Sequence, residues 1–582
     1  MSGSFLLNKW FSIFIIASVT WLIYFNSLYV PFYLDDIRSI SQNQLLINGS
    51  TFEIFNHNIM RSLGYISFAF NLNDSKDVLP FHITNVLIHM INGILVYCLT
   101  YLLIFKTSFD KKYKTINLKY LPLIVAIIFI VHPLHTQAVT YIVQRIAALV
   151  ALFYFAALCS YIILRNQTEL AAKAFWFIIF IVMTISALLT KQNSVTLPLV
   201  IIALELILFQ KLKFKHIGII TSIVFTALIL AFITNAEGFK EVYTALDNYT
   251  RETKQFSRLD YFLAQANVIW IYIAKLFVPY PIRLEYPYHV NSFELWQTVI
   301  AALGHILVFS LGFIFRKHAP LILFGICFYY LAHMVESALI PIRDITFEHR
   351  SYLPDFGLIL AVFSGFLVLL IKYNSKPNHT FLAITLPIIV ILSAITINRN
   401  NQWQDPILFY HNELVHSPYN TRVLNNLATA YYNNNELSKA MPLIEKSVQL
   451  SQGEMSGEMI NNYLAFMIES GSYLRAEEIG LKSLPQIKDL LAKARVLNNL
   501  GILKLKQGLL PEAETYFKRS IKQPNYATKT LFSLSLTLAK QGKLKEAQQY
   551  NIKALKLDPE NNDGHKLLNQ INHYLQQAQR RP

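Results

Sequence analysis

The chain has 582 residues and a formal net charge of +16, with 54% hydrophobic and only 15% charged residues. Soluble proteins of this size carry about a quarter charged residues, so an ordinary soluble globule is excluded for the chain as a whole. A nucleic-acid surface is also excluded as the source of the positive excess, because the lysines and arginines fall in short loops between apolar runs, as membrane-flanking charge does.

The apolar character is concentrated in residues 1–400, whereas 401–582 carries Lys and Glu throughout. This predicts a polytopic membrane domain over 1–400 and a soluble domain over 401–582. The first apolar run follows Lys9 without a small-residue cleavage pattern and reads as a signal anchor. Runs free of Asp, Glu, Lys and Arg follow at 80–105, 120–144, 146–164, 174–190, 216–236, 295–315, 318–335, 356–371 and 377–398, and 192–210 is broken only by Glu205. With 10–34 these make about eleven spans, each near the roughly 20 residues a membrane helix needs. The run 261–274, between Asp260 and Lys275, is shorter and fits an interfacial or re-entrant helix. The cysteines Cys98, Cys159 and Cys327 lie inside apolar runs and form no disulfide framework.

Eleven spans give a consistent orientation. Alternate loops hold fourteen basic residues, among them Lys106, Lys119, Arg165, Lys211, Arg316 and Lys372, against two acids, Asp110 and Glu169. The positive-inside bias then places the N-terminus in the cytoplasm and the C-terminal domain outside. Every unusual polar segment falls at the outer boundary: Asp35 and Asp36 after the first span, His132 to Arg145 between the third and fourth, Lys191 and Gln192 after the fifth, and Arg343, Asp344, Glu348, His349 and Arg350 between the ninth and tenth. Polar groups facing hydrocarbon cost several kcal/mol each, so such segments belong to loops, lined cavities or sites. Converging, they build one pocket with acids and cations.

Such a pocket suits transfer from an anionic lipid carrier. Arg binds phosphate bidentately and Lys as a point charge, and both hold the charge of a leaving phosphate. A carboxylate, Asp35 or Asp36, takes the proton of an incoming hydroxyl. Plainer readings stand beside these: a helix cap for the aspartates, snorkelling anchors for Arg145 and Lys191, and interhelical hydrogen bonds for His82, Asn85, His89 and Asn92 on one face of the second span. His132 and His135 are interrupted by Pro133 and have no third ligand at a diagnostic spacing, so no metal site is expected.

The tail repeats. Residues 497–521 align with 531–555 at a shift of 34, matching Gly508 to Gly542 and Ala513 to Ala547, and 424–448 and 463–484 are looser copies. This period identifies about four tetratricopeptide repeats, an α-solenoid whose concave face binds peptide or protein, or serves as an assembly scaffold.

In these features the chain resembles the GT-C-fold membrane O-mannosyltransferase-like glycosyltransferases with C-terminal tetratricopeptide repeats, the TMTC family and its bacterial relatives. The matching stretches are Asp35-Asp36, "RSLGYISFAFN" (61–71), "FHITNVLIHMINGILVY" (81–97), "HPLHTQAVTYIVQR" (132–145), "KQNSVTLPL" (191–199) and "EHRSYLP" (348–354). The resemblance implies an all-α GT-C architecture and inverting transfer of a sugar, typically mannose, from a polyprenyl-phosphate carrier. The acceptor is a protein Ser or Thr hydroxyl at the extracytoplasmic face, with no nucleotide-sugar cofactor and divalent metal left open. It implies the acceptor-side acid at Asp35 or Asp36. The donor phosphate and sugar are expected at His132, His135, Gln137, Arg145, Lys191, Arg343, Glu348, His349 and Arg350. The alternatives are a lipid-carrier enzyme acting on a glycan or lipid, and a non-enzymatic scaffold. Membrane lipids and an acceptor protein are the expected partners. The short tail favours a bacterial inner membrane with periplasmic repeats, or the endoplasmic reticulum membrane in a eukaryote.

Overall fold

The computed structural model describes residues 9–72, 77–107, 118–210, 244, 247, 251–451, 453–523 and 528–579. These residues are helical or irregular, with no strand among them. Two compact units separate at Asp405, immediately after the helix Pro377–Gln404 ends.

In the first unit, α1 is Lys9–Tyr24, and short helices α2 (Gln44–Asn48), α3 (Thr51–His57) and α4 (Ser62–Ala69) lead into α5 (Leu79–Phe105). Then come α6 (Leu121–Val131), α7 (Thr136–Thr140), α8 (Arg145–Asn166), α9 (Leu170–Leu188) and α10 (Leu197–Leu204). The unit closes with α11 (Arg258–Phe277), α12 (Leu295–Phe315), α13 (Pro320–His333), α14 (Asp355–Tyr373) and α15 (Pro377–Gln404). Among the described residues, eight helical segments are long and apolar enough to cross a membrane, and a ninth if a bent pair is counted as one span. The chain is an integral membrane protein. The expected span at 216–236 lies outside the described residues, and α13 is shorter, at 14 residues.

Two boundaries differ from the sequence reading. The run 120–144 is not one straight helix: α6 stops at Val131, His132 turns extended with its side chain accepting from Leu134 N, and the path bends by 51°. Pro133 removes the backbone donor that would have continued the helix. The next span starts at Ile142 and includes Arg145, which reads as loop by charge but is fully buried.

The buried polar face of α5 ties the bundle together. His82 Nε2 donates to Val30 O (2.8 Å), Asn85 Nδ2 to Val139 O (2.9 Å), His89 Nε2 to Ile130 O (3.0 Å) and Asn92 Nδ2 to Ala148 O (2.8 Å). Interhelical hydrogen bonding therefore explains these four residues, since a carbonyl freed at a helix break has no water to turn to. Helices α13 and α14 cross at Gly325 and Gly357, where a Cβ on either would overlap the other's carbonyl oxygen. Helix α11 is amphipathic and buries Tyr261, Ala264, Gln265, Val268 and Tyr272 on one side. It is longer than the apolar run inside it because the Ser257–Asp260 capping box starts it early. It is not among the helices apolar enough to span.

The second unit begins with α16 (Pro406–His416) and continues as four helix pairs: α17 and α18 (Thr421–Asn433, Leu437–Leu450), α19 and α20 (Gly457–Glu469, Tyr473–Ser483), α21 and α22 (Leu490–Lys506, Leu510–Ile521), and α23 and α24 (Thr528–Lys540, Leu544–Leu557). Helix α25 (Asn562–Gln579) covers the last pair. The turn inside each pair carries one residue with positive φ: Asn435 (61°), Gly471 (79°), Gly508 (78°) and Gly542 (78°). Gly and Asn are the residues that adopt this conformation at least cost. Small residues at Ala428, Ala440, Ala476, Ala513 and Ala547 are buried between helices, as close stacking of repeats requires.

Candidate functional site

The Asp35-Asp36 pair sits in a tight turn. Asp36 N donates to Tyr33 O (2.7 Å), and Tyr33 N returns a bond to Asp36 Oδ2 (3.1 Å). Between them Leu34 has φ 41°, a strained conformation for a branched side chain, of the kind that persists where function or packing fixes it. The two acids part company here. Asp36 is buried and its Oδ1 accepts from Val143 N (2.7 Å). Burial pushes its carboxyl up to about 8, against the backbone donors of Tyr33, Val143 and Ile142 and with some help from Asp35. Asp35 is exposed, with its backbone N–H held by the Tyr141 hydroxyl (3.0 Å).

The stretch 132–145 is the hub. His132 donates through Nε2 to Leu276 O (3.0 Å). His135 donates through Nδ1 to Phe129 O (2.7 Å), and its Nε2 meets Asp355 Oδ2 at 3.2 Å, both side chains fully buried. Arg145 is fully enclosed: Nε donates to Asn85 Oδ1, Nη1 to Ser67 O (2.8 Å), Nη2 to Phe81 O (2.9 Å), and its guanidinium lies over the Phe68 ring. Gln137 Oε1 accepts from both His349 N (2.9 Å) and His349 Nδ1 (3.0 Å). One segment thus grips the aspartate turn through Tyr141 and Val143, helix α4 through Arg145, and the 348–351 turn through Gln137.

A charge cluster forms from three other elements. Lys191, just past α9, has its ammonium 2.7 Å from Glu336 Oε1. Glu336 lies in the wide turn Val335–Leu339 that follows α13, where Ser337 breaks the helical conformation. Tyr261 of α11 donates to the Glu336 carbonyl and fixes that turn. Arg350 is buried, with Nη1 on Ile345 O (3.0 Å) and Nη2 on Asp344 O (2.6 Å). Arg61, just before α4, is brought in by Leu63 N and Ser62 Oγ, which both donate to Leu189 O. It acts electrostatically on Lys191, Glu336 and His349, and its guanidinium has no hydrogen-bond or ion-pair partner among the described residues.

Three cations therefore face one carboxylate. Burial pushes the Glu336 carboxyl up, but Lys191 and Arg350 outweigh it and hold the group below its ordinary value, so it is ionised. Burial lowers Lys191, with Glu336 opposing. Burial, then Lys191, Arg350 and Arg61, hold His349 well below the usual imidazole range. His349 is thus neutral, with Nδ1–H on Gln137 and Nε2 left as an acceptor.

The remaining expected residues fall to the sides. Glu348 Oε1 accepts from Arg283 N (2.8 Å) and Tyr286 OH (2.6 Å), which pins the 280s loop. Arg343 is exposed. Among the described residues no group of three or more His, Cys, Asp or Glu side chains converges as a metal-ligand set. The sequence reading did not single out Arg61 or Glu336. The signals available for them are that Arg61 opens the stretch 61–71 that carries part of the family resemblance, and that Glu336 is the acid that ends the apolar run 318–335.

The fold and cluster define a class: a helical integral membrane protein with a cation-rich polar cluster, joined to a repeat solenoid. Comparison with known proteins narrows it. Residues 421–452 and 528–561 each match a tetratricopeptide-repeat family model. The chain is 24% identical over 446 residues to the protein O-mannosyl-transferase F38B6.6 of Caenorhabditis elegans, covering 72% of this chain and 59% of that protein. It is 21% identical over 615 residues to the human protein O-mannosyl-transferase TMTC3, covering 94% of this chain and 64% of that one. A solved structure titled as YrrB, a tetratricopeptide-repeat protein with an unusual peptide-binding site, overlays 36% of the chain at 14% identity with a TM-score of 0.23. The chain is thus similar to protein O-mannosyl-transferases, the TMTC group among them, carries tetratricopeptide repeats of its own in residues 421–452 and 528–561, and spans about three fifths of the length of those relatives.

Proposed function

We propose that the chain is a GT-C-type glycosyltransferase that moves mannose from a polyprenyl-phosphate carrier to Ser or Thr hydroxyls of proteins at the extracytoplasmic face, with the repeats selecting the acceptor. The observation that carries this reading is the cluster of Arg61, Lys191 and Arg350 against the single carboxylate Glu336, a site with surplus positive charge for one phosphate. The relatives' names support the transferred sugar and the protein acceptor.

In this reaction the acceptor oxygen attacks the anomeric carbon on the face opposite the phosphate. The new C–O bond forms as the old one breaks, and the bonding pair leaves on the phosphate oxygen. The hydroxyl proton goes to a carboxylate, and Asp35 takes this role because it is exposed, whereas both oxygens of Asp36 are engaged by backbone donors. The three cations hold the charge that grows on the leaving phosphate, and the enclosed setting makes them stronger than they would be in water. Arg145, His132 and His135 serve as ties to carbonyls of neighbouring segments, Glu348 holds the 280s loop, and Arg343 is exposed and takes no part.

The test is in vitro transfer. Purified protein with polyprenyl-phosphate-mannose and a Ser/Thr-rich acceptor protein should mannosylate it, and Asp35→Asn should reduce the rate by about 10²–10⁴-fold, the range for loss of a general base. Undiminished transfer by Asp35→Asn removes the base, and absence of transfer by the wild type removes the reading.

A further inference from the structure

Glu336 sits where a phosphate ligand's own charge would go. Its carboxylate is 2.7 Å from the Lys191 ammonium and within electrostatic reach of Arg350 and Arg61, and its position is fixed by the broken turn at Ser337 and by the Tyr261 hydroxyl on its carbonyl. The other titratable groups coupled to it are His333, Tyr261 and Tyr272, with Asp344 beyond Arg350. If the cluster served only to grip phosphate, an ionised acid in its midst would weaken it. The chemistry proposed above gives the acid a purpose. The donor is a phosphodiester with one negative charge, and the product is a phosphate monoester with up to two.

We propose that Glu336 is a charge-setting residue that keeps the cation cluster from retaining the doubly charged polyprenyl phosphate left after transfer. This rests on the cluster being the donor-phosphate site. Coulomb energy is linear in ligand charge, so one added unit of positive charge strengthens binding of the dianion by the square of the factor it gives the monoanion. Removing the Glu336 charge therefore tightens the donor several-fold and the product far more. Turnover then becomes limited by product departure.

The experiment measures binding of polyprenyl monophosphate and of polyprenyl-phosphate-mannose to detergent-purified full-length protein, together with steady-state transfer. Glu336→Gln is expected to tighten the diester about threefold and the monophosphate about tenfold, lowering both KM and kcat. Higher salt should shrink the difference, because screening acts on charge. The double change Lys191→Met with Glu336→Met restores the net charge and should return the ratio of the two affinities toward that of the wild type. It also reads the same ratio if Glu336→Gln alone does not accumulate. A merely structural Glu336, holding Lys191 in place, predicts instead that Glu336→Gln weakens both ligands and leaves their ratio unchanged; that result, or a double variant whose ratio departs further from wild type, overturns the proposal. Failure of the wild type to bind polyprenyl monophosphate at all overturns the donor-site reading beneath it, which is a different outcome from an unchanged ratio.

Discussion

In the repeat unit, buried polar side chains find partners one repeat away: Asn462 reaches Asn425 Oδ1 and Thr429 Oγ1, and Asn499 reaches Asn461, at separations of 33 to 38 residues. In the membrane unit the same need is met across unpredictable distances. His135 meets Asp355 220 residues on, Gln137 meets His349 212 residues on, and Arg145 serves carbonyls 64 and 78 residues back. The repeat solves its polar accounting locally, so its period exposes it. The membrane unit has no water to fall back on and must close every polar group within the bundle, so a buried cation there is as often a tie as a ligand.

That contrast can be broken most forcefully at Arg145. Arg145→Met leaves Asn85 Oδ1 and the Ser67 and Phe81 carbonyls without their donor. It should cost about 3–5 kcal/mol, the penalty for breaking a buried charged network, seen as loss of folded protein in size-exclusion profiles. Lys191→Met, by contrast, should leave the fold and weaken donor binding several-fold; equal loss of fold in both would erase the distinction between tie and ligand. In the repeat unit the sensitive points are steric. A Cβ at Gly501 falls 2.6 Å from the Phe517 ring, so Gly501→Val should cost about 1–3 kcal/mol by overpacking, read as a lower unfolding midpoint with transfer chemistry on small peptides unchanged.

The mildest change is at Asp36. Its folded carboxyl is raised to about 8 by burial, while an unfolded Asp titrates near 3.9. The sign follows from proton linkage: a raised group stabilises the fold fully below its unfolded value, and that stability is lost as pH rises through the folded value. Stability of the wild type should therefore fall between about pH 4 and pH 8. Asp36→Asn should flatten this slope, costing about 1 kcal/mol near pH 4, where one backbone donor is left unpaired, and losing that disadvantage as pH rises toward 8. An unaltered slope in thermal unfolding across that range would show that Asp36 is not the titrating group.

Much of this was legible beforehand. Apolar runs located most of the membrane helices, the period of 34 located the repeats, and the odd polar segments marked residues that do meet: Asp35 with Tyr141, Asp36 with Val143, and Gln137 with His349. What the linear text could not sort was their use. Arg145 and Lys191 look alike as single cations beside apolar runs, yet one is enclosed by carbonyls and the other faces Glu336. Asp35 and Asp36 are adjacent, yet the strained turn at Leu34 points them to different environments. Spacing carries the period of a helix but not the path of a broken one, and His132-Pro133 is where that path turns.

The central claim is that Arg61, Lys191 and Arg350 hold the donor's phosphate. A photoreactive polyprenyl-phosphate analogue, with the reactive group beside the phosphate, tests it most directly when crosslinked sites are mapped by peptide mass spectrometry. The account predicts labelled peptides containing Arg61, Lys191 or the 336–350 turn, with labelling competed away by polyprenyl phosphate and reduced in Lys191→Met. Competable labelling confined to other regions, such as the lysines at 119 and 376, would contradict it.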